Sequence, residues 1–157
     1  MAEKKRPAST RPRTPTRPTP KPKAPKPKKD LPKVSADEVE LVETKGTPGK
    51  GGDEGGHSWI IQAAGERAGV IYINLIDEPP VGRHASIQIY LNQKSQGRGV
   101  GRVAYRKASE ASRYDTIYAH MRKANVASRR AAEEAGYVDA SPHGFTQLIM
   151  RWDRKRG

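Results

Sequence analysis

A chain of 157 residues with no cysteine excludes a disulfide framework and any cysteine-based metal site or nucleophile, and its four histidines (His57, His84, His120 and His143) lack close ligand spacing, so no metal is expected. Only 34% of the residues are of hydrophobic types, so the chain cannot be globular throughout. The formal charge of +13 is concentrated: residues 1 to 34 hold twelve lysines and arginines against Glu3 and Asp30, a net +10, which leaves +3 for residues 35 to 157.

Residues 1 to 34 also carry nine of the thirteen prolines and no aromatic residue. Such a segment cannot bury enough apolar surface to offset its ordering entropy, so a disordered, locally polyproline-like tail is expected there, ahead of a domain over residues 35 to 157. Its chemistry suits a solubilising linker, a polybasic contact with nucleic acid or another polyanion, or proline-directed recognition at Thr14 and Thr19. No apolar run approaches the roughly 20 residues that cross a bilayer, and the N-terminus lacks a signal-peptide core, so the expectation is a soluble, cytoplasmic protein with no membrane partner.

Alternation in EVELVET predicts a first strand over Glu38 to Thr44. Residues 45 to 56, KGTPGKGGDEGG, are too polar to pack and are expected to form a flexible loop, a candidate lid. Two strands follow, Ser58 to Ala64 and Ala68 to Ile76, joined as a hairpin at Gly65-Glu66-Arg67; the second is apolar on both faces, which predicts a central strand covered on both sides. After Pro79-Pro80, His84 to Leu91 alternates as a strand with one buried face. Val100 to Tyr114 has Val100, Val103, Ala104, Ala108 and Ala111 at helical spacing, with small side chains that let the helix pack close to a sheet. Thr116 to Met121 reads as a strand, Asn125 as the cap of a helix through Ala135, and Gly136 as its C-terminal cap. A closing hairpin joins Tyr137 to Ala140 with Phe145 to Trp152 across Ser141-Pro142-His143-Gly144. The fold class is α/β: a mixed sheet with crossover helices in its second half.

The stretch that carries chemistry is Gln96-Gly97-Arg98-Gly99-Val100-Gly101, after a strand and at the start of a helix. Glycines there permit close backbone approach, and free amides at a helix N-terminus point towards an anion, so this is a phosphate or pyrophosphate seat with Arg98 and Arg102 adding positive charge at its rim. A dinucleotide fingerprint needs a glycine where Arg102 stands, and a P-loop needs a glycine-lysine pair that is missing. The pattern instead resembles the Q/R-x-x-G-x-G/A motif of the GNAT acyltransferases, matched by Gln96, Gly99 and Gly101. A second segment, NVASRRAAEEAGYV, resembles the family's fourth helix through Asn125, Ser128, Gly136 and Tyr137. Its Asn-x-x-Ser is similar to that of the branch containing ribosomal-protein N-terminal acetyltransferases.

The resemblance implies acetyl-CoA as cosubstrate and direct attack on its thioester by an amine acceptor, which the sequence leaves unnamed. It implies that backbone groups of Ile89, Tyr90 and Leu91 pair with the pantetheine arm, and that the backbone of Gly97, Arg98, Gly99, Val100 and Gly101 holds the pyrophosphate. Asn125 would bond the arm from the other side. Two departures stand out. The tyrosine often found seven residues after the helix asparagine is replaced by Ala132, leaving Ser128 as the substitute proton donor to the thiolate. The one or two helices usual after the first strand are missing, a reduced front that implies an open site, a pocket completed by a second subunit in a homodimer, or a non-catalytic CoA-binding module associated with nucleic acid through the tail. No pattern distinguishes a general base among Glu66, Asp77, Glu78 and His84; Tyr90 and His120 alternate off buried faces as candidates to line an acceptor cleft.

Overall fold

The structure, a computed structural model, describes residues 32–155. The tail expected over residues 1 to 34 lies outside those residues except for Pro32, Lys33 and Val34. Seven strands and two helices follow one another as β1 (Val39–Thr44), β2 (His57–Ala63), β3 (Glu66–Glu78), β4 (Gly82–Leu91), α1 (Val100–Ala111), β5 (Thr116–Met121), α2 (Val126–Glu134), β6 (Val138–Asp139) and β7 (Leu148–Asp153). They form one mixed sheet in the order β1-β2-β3-β4-β5-β7-β6, antiparallel throughout except where β5 joins β4 in parallel. The expected α/β class is observed, and α1 is the crossover that a parallel β4–β5 pair requires.

Side-chain alternation decides which face is covered. Val39, Ile61, Ile71, Ile73, Ile87, Ile117, Ala119 and Met150 point to one side, where Val100, Val103, Ala104 and Ala108 of α1 and Ala132 of α2 complete the core. Each isoleucine buried there contributes about 1.5–3 kcal/mol relative to an exposed one. The opposite face carries Ile60, Val70, Tyr72, Tyr90, Tyr118 and His120, and no helix among the described residues packs on it. This corrects the expectation for β3, which is central but covered by helices on one side only. Its outward Tyr72 is buried nonetheless, because the Tyr90 ring stacks over it at 6.2 Å and its hydroxyl donates to Gln88 Oε1 at 2.8 Å. The face is left without a helix because none lies between β1 and β2.

Other differences are local. The β2–β3 turn is Ala64-Gly65, with φ of 50° and 81°, rather than Gly65-Glu66-Arg67: two residues of positive φ match the twist of a tight hairpin. The glycine-rich loop is tied down rather than free. Asn74 of β3 accepts from the Gly51 N–H at 2.8 Å and donates to the Gly49 carbonyl at 2.7 Å, Asp53 accepts from Gly49 N–H at 2.8 Å, and Tyr114 hydroxyl donates to Gly55. Helix α1 ends at Ala111 rather than Tyr114, with the Ser112 hydroxyl turned back onto the Ser109 carbonyl at 2.8 Å. In the last hairpin Phe145 to Gln147 belong to the turn, and β7 runs Leu148–Asp153.

The packed chain also begins earlier than composition implies. Val34 is 1% exposed, its N–H donates to the Arg98 carbonyl at 2.8 Å, and the Lys107 ammonium donates to the carbonyls of Ala36 and Val39.

Candidate functional site

The end of β4 is folded into a seat by side chains that replace missing backbone pairs. Asn92 donates its N–H to Ala68 and its amide nitrogen to Arg67, both at 2.8 Å, while its oxygen accepts from Ser95 N–H at 3.1 Å and starts a short 3-10 turn over Gln93–Ser95. Gln96 then reaches back to the Leu91 carbonyl at 3.2 Å. Gly97 and Gly99 hold φ of 74° and 78°, a conformation that only glycine adopts without a penalty, and Gly99 is the N-cap of α1. A helix starting at Val100 leaves the N–H groups of Val100, Gly101 and Arg102 without a carbonyl four residues back, and a glycine cap has no side chain to satisfy them. Gly101 has a different duty: a Cβ there would stand 3.3 Å from the Ala131 Cβ, so its smallness lets α1 and α2 approach.

The expected cofactor residues therefore divide by role. Gly97, Arg98 and Gly99 form the turn that leads into α1, Val100 and Gly101 are its first residues, and Arg102 lies beside Gly99 with Nε 3.9 Å from Glu134. Val100 is buried in the core, 1% exposed. The Gln96 side chain is engaged by Leu91, and the Arg98 guanidinium Nε donates to the Pro32 carbonyl at 3.2 Å.

Beside the seat the sheet opens. β4 and β5 share a single registered pair, Ser86 with Tyr118. Beyond it Ile89, Tyr90 and Leu91 pair with Ile71, Val70 and Gly69 of β3 on one side only. An unpaired strand side offers backbone donors and acceptors to an extended ligand, in the manner of an added strand.

At the start of α2, Asn125 caps the helix by accepting from Ser128 N–H at 3.2 Å. The Ser128 hydroxyl lies 2.9 Å from the hydroxyl of Tyr105, a residue of α1 that is 2% exposed. Burial pushes the Tyr105 phenol above its ordinary pKa, so it stays protonated and can donate. Sequence reasoning missed Tyr105; the one signal was its place one residue after Ala104 on the apolar side of α1. Ala132, 0% exposed, is part of the core. Among the acidic candidates, Glu66 pairs with Lys94 at 3.2 Å, and Asp77 and Glu78 lie exposed at the end of β3. No group of three or more histidine, aspartate or glutamate side chains among the described residues could hold a metal ion, and no helix among them is long and apolar enough to cross a membrane.

A family model described as the acetyltransferase (GNAT) domain matches residues 27–138, which include the glycine loop and the Asn125 helix. This chain belongs to the GNAT acetyltransferase family. Solved GNAT structures share its fold at low identity. The Mycobacterium smegmatis RimJ, in complex with CoA-disulfide, is 18% identical with a TM-score of 0.51, covering 62% of this chain and 53% of its own. The microcin C7 self-immunity acetyltransferase MccE, in complex with acetyl-CoA and AMP, is 20% identical with a TM-score of 0.51, covering 64% of this chain and 62% of its own. The Campylobacter jejuni N-acetyltransferase PseH is 15% identical with a TM-score of 0.50, covering 66% of this chain and 71% of its own. This GNAT chain thus spans about half the length of the RimJ protein it matches. A search of curated protein sequences gave no match.

Proposed function

We propose that this GNAT domain is an N-acetyltransferase that moves an acetyl group from acetyl-CoA to an amine by direct attack. The observation that carries the reading is the opening between β4 and β5 past the Ser86–Tyr118 pair, beside a helix start with uncapped amides. An extended arm ending in a diphosphate needs both features, close together and in that order along β4. The family assignment and the acetyl-CoA and CoA-disulfide bound to MccE and RimJ support the same cosubstrate.

In this reading the backbone of Ile89, Tyr90 and Leu91 orients the arm and an amide of that strand stabilises the thioester oxyanion. Gly97 to Gly101 hold the diphosphate, with Arg102 at the rim, and Asn125 contributes its remaining amide nitrogen. Ser128 supplies a proton to the departing thiolate, and Tyr105, donating into the Ser128 oxygen, strengthens Ser128 as a donor. A homodimer that completes the acceptor pocket, and recruitment to nucleic acid by residues 1 to 34, remain part of the same proposal.

A second reading, a CoA-binding module without turnover, is favoured by Ala132 and by the sheet face that no helix among the described residues covers. Two measurements separate them. Calorimetry with CoA is expected to detect saturable binding, and Gly99→Glu to abolish it while circular dichroism stays unchanged. Gly99→Ala, which brings the same φ strain without the charge, is expected to keep binding. Equal affinity in Gly99→Glu would remove the diphosphate assignment. Thiol release with acetyl-CoA and a panel of peptides, polyamines and nucleosides distinguishes turnover from binding alone.

A further inference from the structure

His84 and His120 lie on the sheet face opposite the helices. They are 36 residues apart in sequence; across the parallel Ser86–Tyr118 pair His84 lies two residues before Ser86 on β4 and His120 two residues after Tyr118 on β5, so the two side chains meet along a diagonal and not as direct cross-strand partners. Their Nε2 atoms are 2.8 Å apart and the rings 5.0 Å centre to centre. His84 is 6% exposed, and its Nδ1 lies 2.6 Å from the Gly82 carbonyl oxygen.

That last contact fixes the protons. A carbonyl oxygen can only accept, so His84 Nδ1 carries hydrogen, and in the neutral ring its Nε2 is a bare acceptor. The 2.8 Å contact then requires His120 to donate from Nε2, which leaves a lone pair on His120 Nδ1. Among the described residues no hydrogen bond uses that nitrogen.

Resting on the acetyl-transfer reading above, the geometry points to His120 Nδ1 as the group that takes the proton from the acceptor amine, with His84 as the positioning residue that sets its tautomer. The opening between the strands would then have a donor pair, Ser128 with Tyr105, on its helical side and a base on its open side. As the amine nitrogen bonds to the thioester carbon and the carbon–sulfur bond breaks, the nitrogen's proton passes to His120 Nδ1. The electron pair goes to sulfur, which takes up a proton, so no net proton is consumed. His120 is held below the ordinary histidine value by burial first and by the neighbouring His84 second, with Glu78 at the end of β3 opposing. The remaining groups around the pair are Tyr118, whose ring meets His84 edge-on, and Arg151 of β7, which lies over Tyr118. Neutral His120 is therefore available at pH 7.

Two experiments on the full chain test this. Nitrogen-15 spectra of the imidazoles at pH 7.5 are expected to give His84 as the Nδ1–H tautomer and His120 as the Nε2–H tautomer; the reverse assignment of either ring overturns the inference. In thiol-release assays from pH 5 to 9, kcat/KM is expected to fall on an acid limb below about pH 6.5. His120→Gln is expected to lower kcat about 100-fold and abolish the limb, with CoA affinity by calorimetry unchanged. His84→Phe is expected to lower kcat rather than raise KM, and His84→Gln, whose oxygen still accepts from His120 Nε2, to recover part of the loss. Unchanged rate and limb in His120→Gln overturn the base assignment while leaving acetyl transfer intact. Failure of the unmodified chain to turn over any acceptor despite binding CoA overturns both.

Discussion

At the N-terminus of α2 two hydroxyls from different helices meet, and only one of them is visible in a motif. Ser128 stands three residues after Asn125 and is found by spacing; Tyr105 reaches it from α1 because Gly101 lets the two helices approach. If Ser128 protonates the thiolate, Ser128→Ala is expected to lower kcat by one to two orders of magnitude, about 10–100-fold, with CoA affinity retained. Tyr105→Phe, which keeps the packing and removes one donor, is expected to lower kcat less. Stopped-flow thiol release reads both, and an unchanged rate in Ser128→Ala would take that residue out of the chemistry. The contrast explains what can be read from residues in a row. Gly97, Gly99 and Asn125 were legible because a turn of positive φ and a helix cap are local demands on local residue types. Tyr105 and the His84–His120 pair were not, because each partnership depends on a register or a helix contact between segments more than twenty residues apart.

Among the elements, the tight β2–β3 hairpin is the place where the local chain conflicts with its conformation. Ala64 sits at φ 50° in the left-handed region, which disfavours residues with a Cβ, other than Asn and Asp, by roughly 1–2 kcal/mol. Ala64→Asn or Ala64→Gly is therefore expected to raise stability by about 0.5–1 kcal/mol, visible as a higher midpoint in urea with an unchanged slope; a lower midpoint would contradict the turn geometry. Strand periodicity located β1 to β5 within two residues at most ends because alternation against one buried face is strict. It overextended α1 by three residues and began β7 three too early, since neither the Ser112 hydroxyl turned onto Ser109 nor the turn at Phe145 leaves a trace in periodicity. The loop over residues 45 to 56 misled for a related reason: its polarity excludes packing, yet Asn74 and Tyr114, distant in sequence, anchor its backbone.

For the molecule as a whole, two half-buried histidines link protonation to folding. His57 is held below its ordinary value by burial first and Arg113 second, and His120 by burial first and His84 second. Where the folded value lies below the unfolded one, the unfolded chain binds more protons in the interval, so stability rises with pH across it. The contribution is complete above about pH 6.5 and is lost as pH falls through the depressed values. Thermal midpoints measured at pH 7.5, 6.0 and 5.0 are expected to decline, and His57→Gln with His120→Gln to flatten the decline; parallel curves would show that other groups govern it. The one-sided core has a different bearing. Helices back the strands on a single side, so among the described residues nothing walls in a substrate that arrives from the other. If amines do approach there, as proposed, a free amino acid and a loop on a folded protein surface would face the same shallow landing, and discrimination between them would rest on polar contacts rather than on bulk.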